Sequence, residues 1–260
     1  MNLYSLTSVF NYRMVIILIE TIIIYFLYDY YQIRFQLDFT IMSVAIVFPL
    51  VFSITSAYQR RQDSINEFSI FRNKIIDLSN IFYSVNDTKK RDYEELFSSL
   101  LELQKLFVSY LKNSSEENSY KNIRKKRKEI FLIIDSYKDI YNEREKDSLI
   151  RVKNELFQSA EKLRGVKLHA TPISLRNYCL IFIYLSPFLF NTQLIVEKST
   201  FGFGLESIIS LSISIVVSFI LIALYNVQDY IENPFDQKGL DDLKISEMDV
   251  SSYESLSKKI

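Results

Sequence analysis

Long stretches without a charged residue constrain the fold of this chain most. No Asp, Glu, Lys or Arg occurs from Phe39 to Gln59, from Asn177 to Val196 or from Ser207 to Gln228. A bilayer core of about 30 Å requires roughly 20 apolar residues of helix to cross it. Each stretch reaches that length, so the sequence predicts three helices that cross a membrane.

A fourth apolar block extends from Met14 to Tyr28 and contains one charged residue, Glu20. The block continues into Tyr30 and Tyr31, and such rings are typical of the membrane interface. A cleaved signal peptide is the rival interpretation, but no small-residue cleavage site follows the apolar stretch. We therefore predict four transmembrane helices, at about 12–31, 38–58, 175–195 and 205–227.

The distribution of charge predicts the orientation of these helices. Residues 59–176 contain 24 Lys and Arg against 18 Asp and Glu, whereas the segments 32–38 and 196–206 contain one basic residue each. Arg60, Arg61 and Arg176 lie beside the apolar stretches, where positive charge marks the cytoplasmic side most strongly. The middle region is therefore predicted to be cytoplasmic. With four spans, both termini are predicted to be cytoplasmic too, and the membrane to be the plasma (inner) membrane.

The middle region shows helical periodicity, because its apolar residues recur at steps of three and four. The sequence thus predicts an all-α integral membrane protein with four transmembrane helices and a helical cytoplasmic domain. Its parts are 1–58 (helices 1 and 2), 59–173 (cytoplasmic domain), 174–228 (helices 3 and 4) and 229–260 (cytoplasmic tail). The periodic positions in the middle region are Ile65, Phe68, Ile75, Ile76, Leu96, Leu100, Leu103, Phe107, Tyr110, Leu111, Ile130, Phe131, Ile134, Tyr137, Tyr141, Val152, Leu156, Phe157, Ala160 and Leu163.

Composition argues against several classes of function. The chain has one Cys, one His and four Gly, and its 31 basic residues balance its 31 acidic residues. One Cys and one His are too few for a disulfide framework, a Cys-rich zinc site or a multi-histidine metal centre. Four glycines supply no Gly-rich phosphate loop, and a zero net charge provides no field for nucleic acid. We predict no enzyme activity, no cofactor, no metal site and no nucleic-acid partner.

Three local strings carry a family resemblance. Phe48-Pro49-Leu50-Val51-Phe52-Ser53-Ile54-Thr55-Ser56-Ala57-Tyr58-Gln59-Arg60 ends the second apolar stretch, and Thr171-Pro172-Ile173-Ser174-Leu175-Arg176-Asn177-Tyr178 begins the third. Ile231-Glu232-Asn233-Pro234-Phe235 follows the fourth, with Asp241-Asp242-Leu243 shortly after it. With the order of the apolar stretches, these strings resemble the bestrophin family, including its bacterial branch.

The resemblance implies a homopentameric ion channel with one central pore for small monovalent ions, either anions or cations. On the matched positions, the narrow neck of the pore falls on Val44, Phe48 and Phe52, and a second constriction at the cytoplasmic exit falls on Ile173. Arg61 stands where family members commonly have Trp, and Asp236 stands where Gly usually follows Asn-Pro-Phe. The acidic run of the animal calcium clasp is short here.

The residues themselves leave two interpretations of the neck positions. Val44, Phe48 and Phe52 are four residues apart, so they share one helix face. Repeated around an axis, that face makes apolar rings that can gate ions by dewetting. The alternative is that these side chains contact lipid or pack against other helices, as most apolar residues of spans do. The whole protein is likewise open to two interpretations. It is either an ion channel or a non-conducting membrane scaffold or sensor with a partner-binding helical domain, because both have the same layout of helices.

Other polar positions are also open to two interpretations. Glu20 is an ionisable group inside a predicted span, and such groups are functional by default, either setting ion preference or bonding to a neighbouring helix. The basic run from Lys121 to Lys128 attracts anionic lipid or ions, or forms a solvated helix face with acidic partners. Asn233, Pro234 and Phe235 are predicted to dock the tail by burying Phe235.

Overall fold

The computed structural model describes residues 10–34, 38–84, 90–112, 117–137, 139–194, 205–237, 242–245 and 250. Within these ranges the regular structure is helical, and no strand occurs. The predicted all-α class is therefore confirmed for the described part of the chain. The helices in chain order are α1 (Tyr12–Tyr31), α2 (Phe39–Ser84), α3 (Lys90–Lys112), α4 (Glu117–Ser136), α5 (Glu143–Leu168), α6 (Ile173–Leu194) and α7 (Leu205–Ile231).

The chain forms two compact units, each assembled from segments that are far apart in sequence. The first unit comprises Met1–Gln59 and Ala170–Glu232. The second unit comprises Arg60–His169 and Asn233–Ile260. Helix α2 begins in the first unit and ends in the second.

Three described stretches are long and apolar enough to cross a membrane, judged by length and composition. They are Tyr12–Tyr31, Glu143–Leu194, which includes α6, and Leu205–Ile231. The predicted second span, 38–58, forms the beginning of α2, and the side chains of residues 39, 41 and 42 lie outside the described ones. A count of four spans stays a prediction.

In the first unit, α1, α6 and α7 pack against one another. Their apolar faces meet in a buried core to which the beginning of α2 adds Ile46 and Leu50. A second, polar set of contacts ties the same helices together. The Thr21 hydroxyl on α1 lies 2.9 Å from Ser218 Oγ on α7, and Asn191 on α6 donates to the Thr21 carbonyl at 3.2 Å. Small residues at such crossings let helix backbones approach closely.

Two prolines lie inside helices of the first unit, Pro49 in α2 and Pro187 in α6. Proline has no N–H, so the carbonyl four residues earlier loses its helical donor. A hydroxyl replaces that donor in both places. Ser186 Oγ donates to Ile183 O at 2.7 Å, and the Tyr178 hydroxyl of α6 donates to Ala45 O at 3.3 Å. The second of these bonds links two helices.

The second unit has an apolar core rich in aromatic rings. The predicted helical stripes are confirmed at most positions, since their residues are buried in this core or packed against it. Phe131 is the exception, because its ring is exposed and lies under the Lys153 ammonium at 4.8 Å. Tyr137 and Tyr141 also differ from expectation, since α4 ends at Ser136 and both lie in the turn that follows.

Helix α5 of this unit has a clearly defined beginning. The Asn142 side chain accepts a hydrogen bond from Glu145 N at 2.9 Å, and the Glu145 side chain accepts one from Asn142 N at 3.1 Å. This reciprocal pair is a capping box, which satisfies backbone donors that the first turn of a helix leaves free. The local sequence thus fixes where α5 starts.

The segment after α7 packs into the core of the second unit. Phe235 is fully buried there, together with Leu243, Ile245 and Val250. The Asn233 side chain accepts a hydrogen bond from Phe235 N at 3.2 Å, and Pro234 O accepts one from Leu243 N at 3.0 Å. Asp241, the first residue of the resembling Asp-Asp-Leu string, lies outside the described residues.

We expect Phe235→Ala to destabilise the second unit by about 3 kcal/mol or more, because it leaves a cavity in a packed core. Phe131→Ala is the matched control, since it deletes the same ring from an exposed site of the same unit. Thermal unfolding of the protein in detergent measures both. An equal loss in the two variants would show that burial of Phe235 contributes nothing specific.

Candidate functional site

The beginning of α2 has one buried face and one exposed apolar face. Val44, Phe48 and Phe52 are 55 to 59% exposed in the single chain, and the rings of Phe48 and Phe52 meet edge to face at 4.6 Å. On the opposite side, Leu50 and Ser53 are fully buried. An exposed stripe of large apolar side chains marks a place where lipid, a ligand path or another protein surface meets the chain.

The Tyr178 hydroxyl holds this part of α2 in place. It bonds to the carbonyl that Pro49 leaves free, and that carbonyl belongs to Ala45, next to Val44. The Tyr178 ring also packs against the Phe182 ring of the same helix, with ring centres 4.4 Å apart and a tilt of 36° between the ring planes. The exposed apolar face is therefore carried by a helix segment that is also hydrogen-bonded to α6.

We expect Tyr178→Phe to lower stability by about 1 kcal/mol, because the Ala45 carbonyl loses its donor in an apolar setting. Tyr184→Phe is a suitable control on the same helix, since its hydroxyl makes no hydrogen bond with the described residues. The midpoint of thermal unfolding in detergent reports both changes. No difference between the two variants would contradict the anchoring role.

Ile173 is the first residue of α6 and is 71% exposed. The turn before it is anchored by Glu232. Glu232 Oε1 accepts from Thr171 N at 2.7 Å, and Glu232 Oε2 accepts from the Thr171 hydroxyl at 2.8 Å. The positions predicted for the neck and for the exit thus both lie in the first unit, at separate places along the chain.

A charged cluster joins three helices of the first unit. Asp229 on α7 forms a salt bridge with Arg13 on α1 at 3.3 Å and another with Arg176 on α6. Asn11, which caps α1, donates to Asn226 Oδ1 at 2.8 Å, one turn before Asp229 on α7. The cluster ties the start of α1 and the start of α6 to the end of α7.

Glu20 lies half-buried on α1, between the exposed Ile19 and the buried Thr21. The neighbouring Thr21, rather than Glu20, makes the hydrogen bond to α7. Either role that the sequence suggests for Glu20 stays a prediction.

The basic run in α4 is partly paired with acids of the second unit. Lys126 forms salt bridges with Glu129, at 2.6 Å, and with Glu102. Arg127 forms one with Glu161, and its guanidinium lies 4.5 Å from the centre of the Phe157 ring. At these two positions the solvated, acid-paired interpretation describes the run.

Glu161 is the centre of a small hydrogen-bonded group. Burial opposes its ionisation, but hydrogen bonds from Tyr120 and Arg127 outweigh burial and lower the pKa of the Glu161 carboxyl. Burial and the bond to Glu161 raise the pKa of the Tyr120 hydroxyl to about 12. The group is therefore held as a carboxylate with neutral and cationic donors at neutral pH.

We expect Glu161→Gln to lower stability at neutral pH, because the charged contacts of the carboxylate with its donors are lost. The loss should be only about 1 kcal/mol, because the partly exposed carboxylate is screened by solvent. A carboxyl whose pKa is lowered in the folded state stabilises the fold at pH values above its ordinary pKa of 4.5. That stabilisation disappears as the pH falls through the pKa of the folded state. The difference from wild type should therefore shrink below pH 4.5. Thermal unfolding across pH tests this, with the exposed Glu94→Gln as control; a difference that grows in acid would contradict it.

Several of these contacts have little signal in the sequence, although Tyr178 and Glu232 lie in the strings that carry the family resemblance. Tyr178, Asp229 and Glu232 are not among the sequence-predicted site residues, although all three fix the segments that hold the predicted positions. Asp229 does have a signal, since it is the first charge after the stretch that ends at Gln228. In the described part of the chain, no three His, Cys, Asp or Glu side chains come together in a way that could hold a metal ion.

No protein-family model and no curated protein match the sequence. Solved structures do match. A bacterial bestrophin homolog from Klebsiella pneumoniae, solved by zinc phasing, superimposes with a TM-score of 0.72 at 15% identity, over 95% of this chain and 97% of that one. The chain has the fold of the bacterial bestrophin homologs. A single-residue variant from the same organism gives a TM-score of 0.73 at 14% identity, over 95% and 97% of the two chains.

A further match is described as a membrane protein, with a TM-score of 0.74 at 14% identity over 95% of this chain and 96% of that one. Identities this low establish the fold alone. The bestrophin fold therefore explains the order of the helices, while the roles of individual residues depend on the contacts of this chain.

Proposed function

We propose that this chain is an ion channel of the bestrophin type, in which copies of the chain surround a central pore. The observation that carries the proposal is the exposed face of Val44, Phe48 and Phe52 on a helix that is buried on its other side. The bestrophin fold supports the same assignment. The family resemblance supplies the number of copies, five.

In this proposal the exposed face of α2 lines the neck of the pore. Symmetry repeats Val44, Phe48 and Phe52 as three stacked apolar rings around the axis. A hydrated ion that enters such rings loses water that no side chain replaces, so narrow rings oppose passage and wider rings permit it. The permeant species are small monovalent ions, because this face carries no fixed charge that would compensate the higher charge of a multivalent ion. Ile173 forms the second constriction, at the cytoplasmic exit.

The proposal also includes the surroundings of the channel. The apolar stretches cross the inner membrane, both termini are cytoplasmic, and the second unit forms the cytoplasmic body. Membrane lipids cover the remaining exposed side chains of α1, such as Ile16, Ile19 and Ile23. Glu20 belongs to this membrane region, where a carboxyl either influences ion preference or bonds across helices.

We expect Phe48→Ala and Phe52→Ala to raise single-channel conductance in planar bilayers, because each removes one ring of bulky side chains from the neck. Phe26→Ala is the matched control, since Phe26 is similarly exposed but lies on α1. Reversal potentials in asymmetric salt, measured on the same bilayers, determine whether cations or anions pass.

Unchanged conductance in both neck variants would contradict the neck assignment. Purified wild-type protein that assembles but carries no current would contradict the channel itself. That second result would favour the alternative of a membrane scaffold or sensor whose helical body binds a partner.

A further inference from the structure

We propose that Glu232 is a positioning residue for the exit constriction: its carboxylate fixes the turn before α6 and so fixes where the Ile173 side chain stands in the ion path. The inference rests on the proposed function, because it concerns the residue that would form the exit. Glu232 is neither one of the periodic apolar positions nor one of the predicted neck residues.

The contact between Glu232 and Thr171 is buried and uses both carboxylate oxygens. Glu232 is 7% exposed and Thr171 is 3% exposed. One oxygen accepts from the Thr171 backbone N–H at 2.7 Å, and the other accepts from the Thr171 hydroxyl at 2.8 Å. Hydrogen bonds to a charged acceptor are stronger than neutral ones, and two bonds to one residue fix its orientation as well as its distance.

The chain between this anchor and Ile173 is short and stiff. Pro172 stands between them, and its ring fixes its own φ. The Pro172 carbonyl accepts from Leu175 N at 3.0 Å and from Arg176 N at 3.2 Å, which starts the first turn of α6. Few rotatable bonds therefore separate the buried Thr171 from the exposed Ile173.

The exposure of the two ends shows which one is the anchor. Thr171 is almost completely buried, whereas Ile173, two residues later, is 71% exposed. A carboxylate near the first turn of a helix is also favoured by the partial positive charge of that end. Glu232 thus acts on the exit from behind the protein surface, through the backbone of Thr171 and Pro172.

Glu232→Leu removes both hydrogen bonds, and Thr171→Val removes the hydroxyl bond while it preserves the shape of the side chain. Both variants should change the permeability ratio of a small to a large monovalent ion by roughly twofold or more, the size expected for coupled sites. Thr171→Ser keeps the hydroxyl and should therefore have the same permeability ratio as the wild type. Size-exclusion elution and thermal unfolding in detergent verify assembly of each variant.

A double-mutant cycle separates positioning from a general structural role. Ile173→Ala should change the permeability ratio by itself. In the Ile173→Ala background, Glu232→Leu or Thr171→Val should add little, because the side chain that they position is gone. A merely structural role would instead lower stability in both backgrounds and leave the ratio unchanged.

The possible failures are distinguishable. If Ile173→Ala changes the ratio but Glu232→Leu and Thr171→Val do not, or if their effects add fully to that of Ile173→Ala, positioning by Glu232 is wrong and the channel stands. If the wild type conducts but Ile173→Ala has no effect, the exit assignment is wrong and positioning with it. If Glu232→Leu does not assemble, the contrast between Thr171→Val and Thr171→Ser decides the question.

Discussion

A helix in an apolar environment has to satisfy every backbone hydrogen bond within the protein, and the first unit depends on this constraint. Two prolines break the regular pattern, and hydroxyls restore it at Ala45 and Ile183. The donor at Ala45 comes from another helix, whereas the donor at Ile183 comes from the same helix. The free carbonyl thereby becomes a contact that links α2 to α6 within this unit.

At the ends of the same helices, charged side chains take part in the contacts. Asp229 receives Arg13 and Arg176, and Glu232, less than one turn later, receives Thr171. Arg176 and Asp229 lie directly beside charge-free stretches, and Arg13 directly precedes the apolar block that begins at Met14. At such places ionised side chains reach water or one another. The last turn of α7 and the residue after it therefore act as a common anchor for the beginnings of α1 and α6.

Much of this fold could be predicted from periodicity and charge. The apolar stretches locate α1, α6 and α7, and the three- and four-residue steps locate the core of the second unit. Phe131 shows the limit of that method, because a residue at the edge of a helical stripe has the right spacing whether or not a neighbour covers it. Burial at such an edge depends on where the next helix crosses.

Of the candidate site, the apolar face of α2 could be predicted from the sequence, whereas the contacts that hold its segments could not. Val44, Phe48 and Phe52 share a face by spacing alone, and the structure adds that this face is exposed while the other is buried. The contacts of Tyr178 and Glu232 could not be inferred, although both residues lie in the resembling strings. Each contact depends on one partner far away in the sequence, Ala45 for Tyr178 and Thr171 for Glu232. Single long-range pairs leave no periodic trace.

The buried serines of α7 have a consequence for how the first unit is assembled. Ser210, Ser214 and Ser218 recur every four residues on its buried side, where membrane helices often place glycine. Serine favours a helix by about 0.5 kcal/mol over glycine at each position, while it remains small enough for a close crossing. A chain with only four glycines thus obtains close crossings from helices that are stable before they meet. Association is then the packing of preformed helices, and little backbone entropy is lost when they come together.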